Sequence, residues 1–411
     1  MRALLSTIGS RGDVTPLVAL AVQLRALGHE ARLCVPPDFR DWIESCGLEV
    51  VPIGPSVRAF AASRPPASQT PLSPPSPDQL RQIIDATVAT QFETITAAAE
   101  GCDVILAATA LQVAAGSVAE KMGIPYVFAA YAPIVFPSLR HAPAPLPPAA
   151  GETPAPANAD NRELWARSDA RTNATFRDAL NAHRTARGLA AVDDVRSYMF
   201  TARPWLAADP TLAPWPEPDT ESVFQPGAWI VPDEQPLPRD VDAFLDGGAP
   251  PIFFGFGSAR VAQGAGAASV EAARALGRRG IVSSGWSDLS GEAHAADCLT
   301  VGEANFQALF PRVAAVVHHG GAGTTTLATL AGTPQVIVPQ VYDQHYFARR
   351  VVDLGVGSAH APGAMTAESL TAALEQTLRP EVAARAKSVG TRVRRDGAQI
   401  AAEALYRASS A

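Results

Sequence analysis

Charge is scarce in this chain, and positive charge is the scarcer sign. Charged residues are 18% of the 411, and 33 Lys and Arg against 40 Asp and Glu leave a net charge of −7. Binding a phosphate backbone needs a clustered basic face, so a nucleic-acid partner is not expected. The one basic cluster, Arg392-Val393-Arg394-Arg395, reads as the solvated face of a C-terminal helix. Cysteine is rare too. Cys34, Cys46, Cys102 and Cys298 lie far apart and form no C-x-x-C pair, which argues against zinc ribbons and thioredoxin-type redox sites. Most sit in or beside apolar runs, as buried free thiols do, and a reducing cytoplasm fits them. No unbroken apolar run is long enough to span a bilayer, so stable membrane insertion is not expected. The first residues pass directly into the apolar run Ala3-Leu4-Leu5-Ser6-Thr7-Ile8, which reads as a strand rather than a signal peptide.

What the chain has is alternation. Residues 2–8 read as a strand, and residues 15–27 as a helix with apolar Leu17, Leu20, Ala21, Leu24 and Leu27 on one period. Thr15-Pro16 suits its start and Gly28 its stop. A strand at 31–35, a helix at 38–46 and strands at 48–53, 104–107 and 126–129 continue the series around a helix near 111–122. The alternation restarts at 252–256 and runs through strands at 281–283, 313–317 and 335–338, with helices at 269–277, 323–331 and 344–354. Strand–helix–strand order predicts parallel sheets covered on both faces. The fold class is α/β, with two Rossmann-like domains facing a cleft. The expected boundaries are 1–212 for an N-terminal domain, 213–238 for a linker and 239–390 for a second domain. A C-terminal helix at 391–411 is expected to pack back on the first domain. Proline punctuates this plan in three places: 65–77, 133–156 and 204–238. The first two read as substrate-facing loops and the third as the linker.

Four motifs stand at strand ends. His318-His319-Gly320-Gly321-Ala322-Gly323-Thr324 follows an apolar run and opens a helix, where free N–H groups and a partial positive charge favour a phosphate. A protonated or donating histidine adds one more hydrogen bond there. The alternative is a tight turn whose glycines serve packing alone. Asp343-Gln344, at the next strand end, can bond vicinal sugar hydroxyls, or Asp343 can simply cap a helix. Gly255-Phe256-Gly257-Ser258 places Ser258 near a phosphate oxygen, or forms a plain turn. Gly9-Ser10-Arg11-Gly12-Asp13 follows the first strand. Ser10 and Arg11 are within reach of a diphosphate, and Asp13 is either a general base or a helix cap.

Together these stretches resemble the bacterial family-1 glycosyltransferases of the GT-B fold, in particular those that glycosylate vancomycin-type glycopeptide antibiotics. Macrolide and mycobacterial lipid glycosyltransferases are similar too. The resemblance is dense over about residues 1–55 and 280–405 and thin between. It implies an inverting transfer that uses no metal or other cofactor. By matching position, Asp13 would take the acceptor's proton. Ser10, Arg11, Ser258, His319, Gly321, Ala322, Gly323 and Thr324 would surround the diphosphate. Asp343 and Gln344 would hold the donor sugar, and Val301, Glu303 and Trp286 the nucleoside. The implied partners are a UDP- or dTDP-sugar and a hydroxyl of a small secondary-metabolite acceptor.

Rival chemistries are weaker. An NAD-dependent oxidoreductase needs G-x-G-x-x-G after the first strand and an acidic end to the second. The chain has Gly9-Ser10-Arg11-Gly12 and Cys34-Val35-Pro36 instead. A nucleotide-sugar epimerase or a non-catalytic nucleotide-sugar binder would share the fold. The string Asp240-Val241-Asp242 reads as a helix start rather than a metal site, and His318, His319 and His345 do not have zinc spacing.

Overall fold

The computed structural model describes residues 1–59, 76–145, 153–156, 158–217, 222–258, 264–285, 297–361 and 364–410. The chain forms two compact units, one of residues 1–208, 214–231 and 395–411, the other of 209–213 and 232–394.

The first unit is built on strands β1 (Arg2–Thr7), β2 (Glu30–Val35), β3 (Glu49–Pro52), β4 (Val104–Ala108), β5 (Tyr126–Ala130) and β6 (Trp205–Leu206). They form one parallel sheet in the order β3-β2-β1-β4-β5-β6. Its middle is fixed by Ala3 pairing with Ala31 on one side and Val104 on the other. All of β4 is buried, as expected of a parallel strand covered on both faces. Helices α1 (Arg11–Ala26), α2 (Arg40–Ser45), α3 (Pro77–Ala98), α4 (Ala115–Met122), α5 (Asn161–Ala186) and α6 (Val195–Phe200) complete its main run.

The second unit repeats the plan. Strands β7 (Ile252–Gly255), β8 (Gly280–Ser283), β9 (Cys298–Val301), β10 (Ala315–His318), β11 (Gln335–Ile337) and β12 (Gly357–Ala359) form a parallel sheet ordered β12-β11-β10-β7-β8-β9. Read from the third strand of each unit, both sheets run 3-2-1-4-5-6, the doubly wound order of dinucleotide-binding folds. Strand alternation divides its core. Ile252, Phe254, Val282, Ala315 and Val317 join a cluster with Val270, Leu370 and Leu374. Phe253, Ile281 and Val316 point the other way, to Val241, Leu245, Leu309 and Phe310. The helices are α7 (Arg239–Asp246), α8 (Ala265–Ala275), α9 (Phe306–Leu309), α10 (Ala322–Leu330), α11 (Gln344–Asp353), α12 (Ala367–Thr377) and α13 (Pro380–Gly390).

The last helix, α14 (Gly397–Ser409), packs against α1 in the first unit. It buries Ala398, Ala401, Ala402 and Leu405, one helical stripe. Gly397 opens it in close contact with the chain, because a Cβ there would lie 2.5 Å from the Ala228 carbonyl oxygen.

One local reading changes. The basic cluster is not on a helix face. Residues 391–396 connect α13 to α14, where the Arg394 N–H donates to Asp209 Oδ2 at 2.8 Å. The proline-rich connector is packed, with Trp205, Trp215 and Trp229 buried and Gln225 tying the Trp215 backbone N–H to the Ala208 carbonyl. The Asp240-Val241-Asp242 string stands at the start of α7, as its sequence suggested, and Asp242 and Asp246 pair with Arg312 at 2.5 and 2.6 Å. The four cysteines are free thiols. The proline-rich stretch 65–77 lies almost wholly outside the described residues, as do 146–152 of the second stretch. Among the described residues no helix is long and apolar enough to cross a membrane.

Candidate active site

In the second unit, sheet order places the site. Strands β8 and β9 lie on one side of β7, and β10, β11 and β12 on the other. The loops leaving β7 and β10 therefore diverge, and a crevice opens at the carboxyl end of the sheet between them. His319 stands there, directly after β10. A Cβ on Gly257 would lie 3.4 Å from its Cε1, and one on Gly321 would lie 2.7 Å from its Nε2. The imidazole thus sits between two glycine backbones, and Gly257 also has a left-handed φ of +56°.

The contacts continue along the sheet edge on both sides. A Cβ on Gly285 would meet the Gly257 carbonyl oxygen at 2.8 Å, and one on Gly320 would meet the Gln344 carbonyl oxygen at 3.2 Å. The Val301 carbonyl accepts from Ser284 N and Oγ at 2.8 and 3.2 Å. Residues of the loops after β7, β8, β9, β10 and β11 are thereby linked in one row.

The two histidines of the motif part company. His318 is fully buried, with Nε2 2.9 Å from Gln335 Oε1 and Nδ1 accepting the Gly320 N–H at 3.1 Å. Gln335 in turn donates to Thr329 Oγ1 at 2.9 Å. Burial pushes the His318 pKa down to about 3. His318 is thus a neutral strut that shapes the loop. His319 is half-buried, its pKa lowered to about 4 by burial, and its Nδ1 is buried without a partner. It is neutral at pH 7, so the protonated form is not what it offers. As a neutral imidazole it has one N–H to donate and one nitrogen to accept.

Helix α10 begins at Ala322 with Gly321 as N-cap and no side-chain cap. A helix start leaves its first N–H groups without intrahelical acceptors, here those of Ala322, Gly323 and Thr324. The site therefore combines uncapped N–H donors, the positive end of a helix and a neutral imidazole, and an anion satisfies all three.

At the end of β11, Gln344 is nearly buried, and its Oε1 accepts the Gln340 and Val341 N–H groups at 2.8 and 3.1 Å. Its acceptor is occupied by the loop, and its amide N–H₂ remains the group to offer outward. Asp343 is the N-cap of α11 but makes no side-chain cap hydrogen bond. Ser258 is half-buried and follows Gly257. Glu303 is exposed, and the Val301 carbonyl accepts from Ser284. Trp286 lies outside the described residues. Among the described residues, no group of three or more His, Cys, Asp or Glu gathers to hold a metal.

In the first unit, α1 starts at Arg11, earlier than Thr15-Pro16 suggested, with Pro16 inside it. Ser10 is its N-cap, and Asp13 closes a capping box. Asp13 Oδ2 accepts Ser10 N at 2.6 Å and Ser10 Oγ at 3.0 Å. A Cβ on Gly9 would overlap that same oxygen, so Gly9 makes room for the carboxylate. Tyr131 Oη donates to the Asp13 carbonyl at 2.9 Å. Burial pushes the Asp13 carboxyl up, against the Ser10 bonds that pull it down. The Arg11 guanidinium lies over the Trp42 ring, 4.5 Å from its centroid. This loop leaves β1 at the corresponding divergence of the first sheet, between β1 and β4. Thr109, after β4, has a left-handed φ of +75°, which composition gave no reason to expect.

Known proteins carry the same plan. Residues 3–136 match the glycosyltransferase family 28 N-terminal domain. Residues 288–402 match the erythromycin biosynthesis protein CIII-like, C-terminal domain. The chain is 48% identical to glycosyltransferase GtfE of Amycolatopsis orientalis over 410 residues, 99% of this chain and 98% of that one. It is 46% identical to the vancomycin aglycone glucosyltransferase of the same organism over 412 residues, covering 100% and 98%. The chain belongs to the vancomycin-type glycosyltransferases of the GT-B fold. The glycosyltransferase of kitacinnamycin has the same fold, with a TM-score of 0.71 at 20% identity over 99% of this chain and 98% of that one. So does the glycosyltransferase VinC, solved in complex with dTDP, with a TM-score of 0.64 at 21% identity over 100% of both chains. Within this glycosyltransferase, Asp13 falls in the first matched segment, and His319 and Asp343-Gln344 fall in the second. Ser258 lies between the two.

Proposed function

We propose that this glycosyltransferase moves a sugar from a UDP or dTDP donor to a hydroxyl of a small natural-product acceptor, with inversion and without a metal. The observation that carries the donor half is the uncapped start of α10 beside the neutral, half-buried His319 at the divergence of β7 and β10. A relative named for transfer to the vancomycin aglycone and a fold neighbour holding dTDP support the two substrate classes.

In this reading Ala322, Gly323 and Thr324 offer backbone N–H groups to the diphosphate, with Gly321 giving it room to approach, and His319 and Ser258 donate beside them. Asp343 and the Gln344 amide hold sugar hydroxyls. Asp13 accepts the acceptor's proton while the acceptor oxygen bonds to the anomeric carbon. The bond from that carbon to the diphosphate oxygen breaks on the opposite face, which inverts the centre. Charge grows on the leaving diphosphate, where fixed donors stabilise it without reorganising. A carboxyl whose pKa is raised is a better base than a solvated one, and Ser10 fixes its direction.

The test is a thermal-shift panel of UDP, dTDP, uridine, thymidine and NAD with EDTA present. Stabilisation by one diphosphate and not by its nucleoside is expected. Stabilisation by NAD alone, or by none of these, would remove the donor site. Activity that needs added Mg²⁺ would remove the metal-free mechanism.

A further inference from the structure

Tyr342 is held where a bulky residue is rarely found. Its φ is +51°, in the left-handed region, one of three non-glycine residues with positive φ among those described. Glycine or asparagine fits such a position with little strain, while a large side chain does so only when surrounding structure enforces it. Here the enforcement is visible. Gln344 Oε1 accepts the Gln340 and Val341 N–H groups, and the Gln344 N–H returns to the Val341 carbonyl at 3.2 Å. The held ring is then left in the open. Tyr342 is 57% exposed and its neighbour Val341 52%. The loop also abuts the proposed phosphate loop through Gly320, whose Cβ would lie 3.2 Å from the Gln344 carbonyl oxygen.

A pyranose has a polar rim and a flatter C–H face. Asp343 and Gln344 offer groups to the rim and nothing to the face. We infer that Tyr342 is a specificity-determining residue, its ring lying against the apolar C–H face of the donor sugar. The inference rests on the donor-site reading above. It accounts for an exposed aromatic ring on a strained backbone beside two polar sugar contacts. Aromatic contacts of this kind are directional and add to simple burial, and pockets commonly pair such an apolar surface with a few placed polar groups.

The test compares Tyr342→Asn, which suits a left-handed backbone but removes the ring, with Tyr342→Phe, which keeps the ring. Affinities for UDP, dTDP, UDP-glucose and dTDP-glucose are measured by calorimetry, with melting temperatures alongside. In Tyr342→Asn the melting temperature is expected to hold or rise. Nucleoside diphosphate affinity should stay within about twofold, while the added affinity due to the sugar falls by up to about tenfold. Tyr342→Phe should behave as the native protein does. A Tyr342→Asn protein that keeps the sugar's added affinity would overturn the inference, as would one that loses nucleoside diphosphate affinity equally. A Tyr342→Phe protein that behaves like Tyr342→Asn would overturn it too. If the native protein binds none of the four ligands, the donor-site reading itself fails, an outcome distinct from the others.

Discussion

At the residue scale, one carboxylate has two duties. Asp13 closes the capping box of α1 and is the proposed base. A capping carboxylate favours its charged form, whereas burial disfavours it, and here burial wins. A carboxyl raised in this way costs stability once it ionises, because the unfolded chain ionises it more readily. Asparagine at 13 keeps an oxygen for the Ser10 N–H and carries no charge. Asp13→Asn should therefore hold or raise the melting temperature while lowering turnover by about 10²–10⁴-fold, the range for removing a positioned base. Rates and melts of the same preparation decide it. A stable variant with native turnover would leave Asp13 as a cap only.

His319 makes a second residue-scale case. The unfolded imidazole takes its proton near pH 6.5, and the folded one only at about 4. Between those values the unfolded state binds more protons, so stability falls as pH drops below about 6.5 and is fully present above it. His318, at about 3, adds the same slope. Replacing His319 with glutamine should reduce the pH dependence of unfolding free energy between pH 6 and 5 by roughly one proton's worth, about 1.4 kcal/mol per pH unit at most. Urea melts at the two pH values measure it, and an unchanged slope would mean that the folded protein protonates His319 readily.

At the scale of the element, the glycines at the start of α10 have separate roles. A Cβ on Gly321 would press on His319 Nε2 at 2.7 Å, whereas one on Gly323 meets nothing within 4 Å. Gly321→Ala should thus displace the imidazole and weaken diphosphate binding about tenfold or more, the loss of one or two hydrogen bonds to a charged group. Gly323→Ala should hold or raise stability, by up to about 1 kcal/mol, because alanine is the better helix residue. Nucleotide titrations and melts of both variants separate the two effects. Equal outcomes would mean that the His319 position does not matter. Such roles were only partly legible in the sequence. The strand–helix alternation carried both sheets because parallel strands and amphipathic helices imprint local periods on the chain. Helix α5 escaped because its stretch is polar on most sides and follows a run of prolines, and β12, Gly-Ser-Ala, carries no large apolar residue to mark it. The site showed its glycines and histidines but not their division of labour. That His318 is a strut and His319 an open donor depends on Gln335, seventeen positions away, which no local pattern marks. The strain at Tyr342 is equally silent, because it is imposed by hydrogen bonds from Gln344.

At the scale of the whole molecule, the chain leaves its first unit, builds the second, and returns. Residues 395–411 belong with the unit that holds Asp13, and the returning helix lies on α1, the helix Asp13 helps to cap. Leu405 is fully buried there, so Leu405→Ala should cost about 2–5 kcal/mol through lost burial and the cavity left behind. The loss is expected in the first unit, since among the described residues neither of the two core clusters given above for the second unit contains a residue of α14. Calorimetric melts of the full chain should show an early transition moved down and a later one unmoved, and UDP or dTDP should still raise the later one. The added nucleotide thereby reports on the unit proposed to bind the donor, and residual turnover reports on the unit that carries the proposed base, Asp13. A variant in which the nucleotide-sensitive transition falls by the same amount would mean that Leu405 stabilises both sheets, and the assignment of α14 to the first unit alone would be wrong.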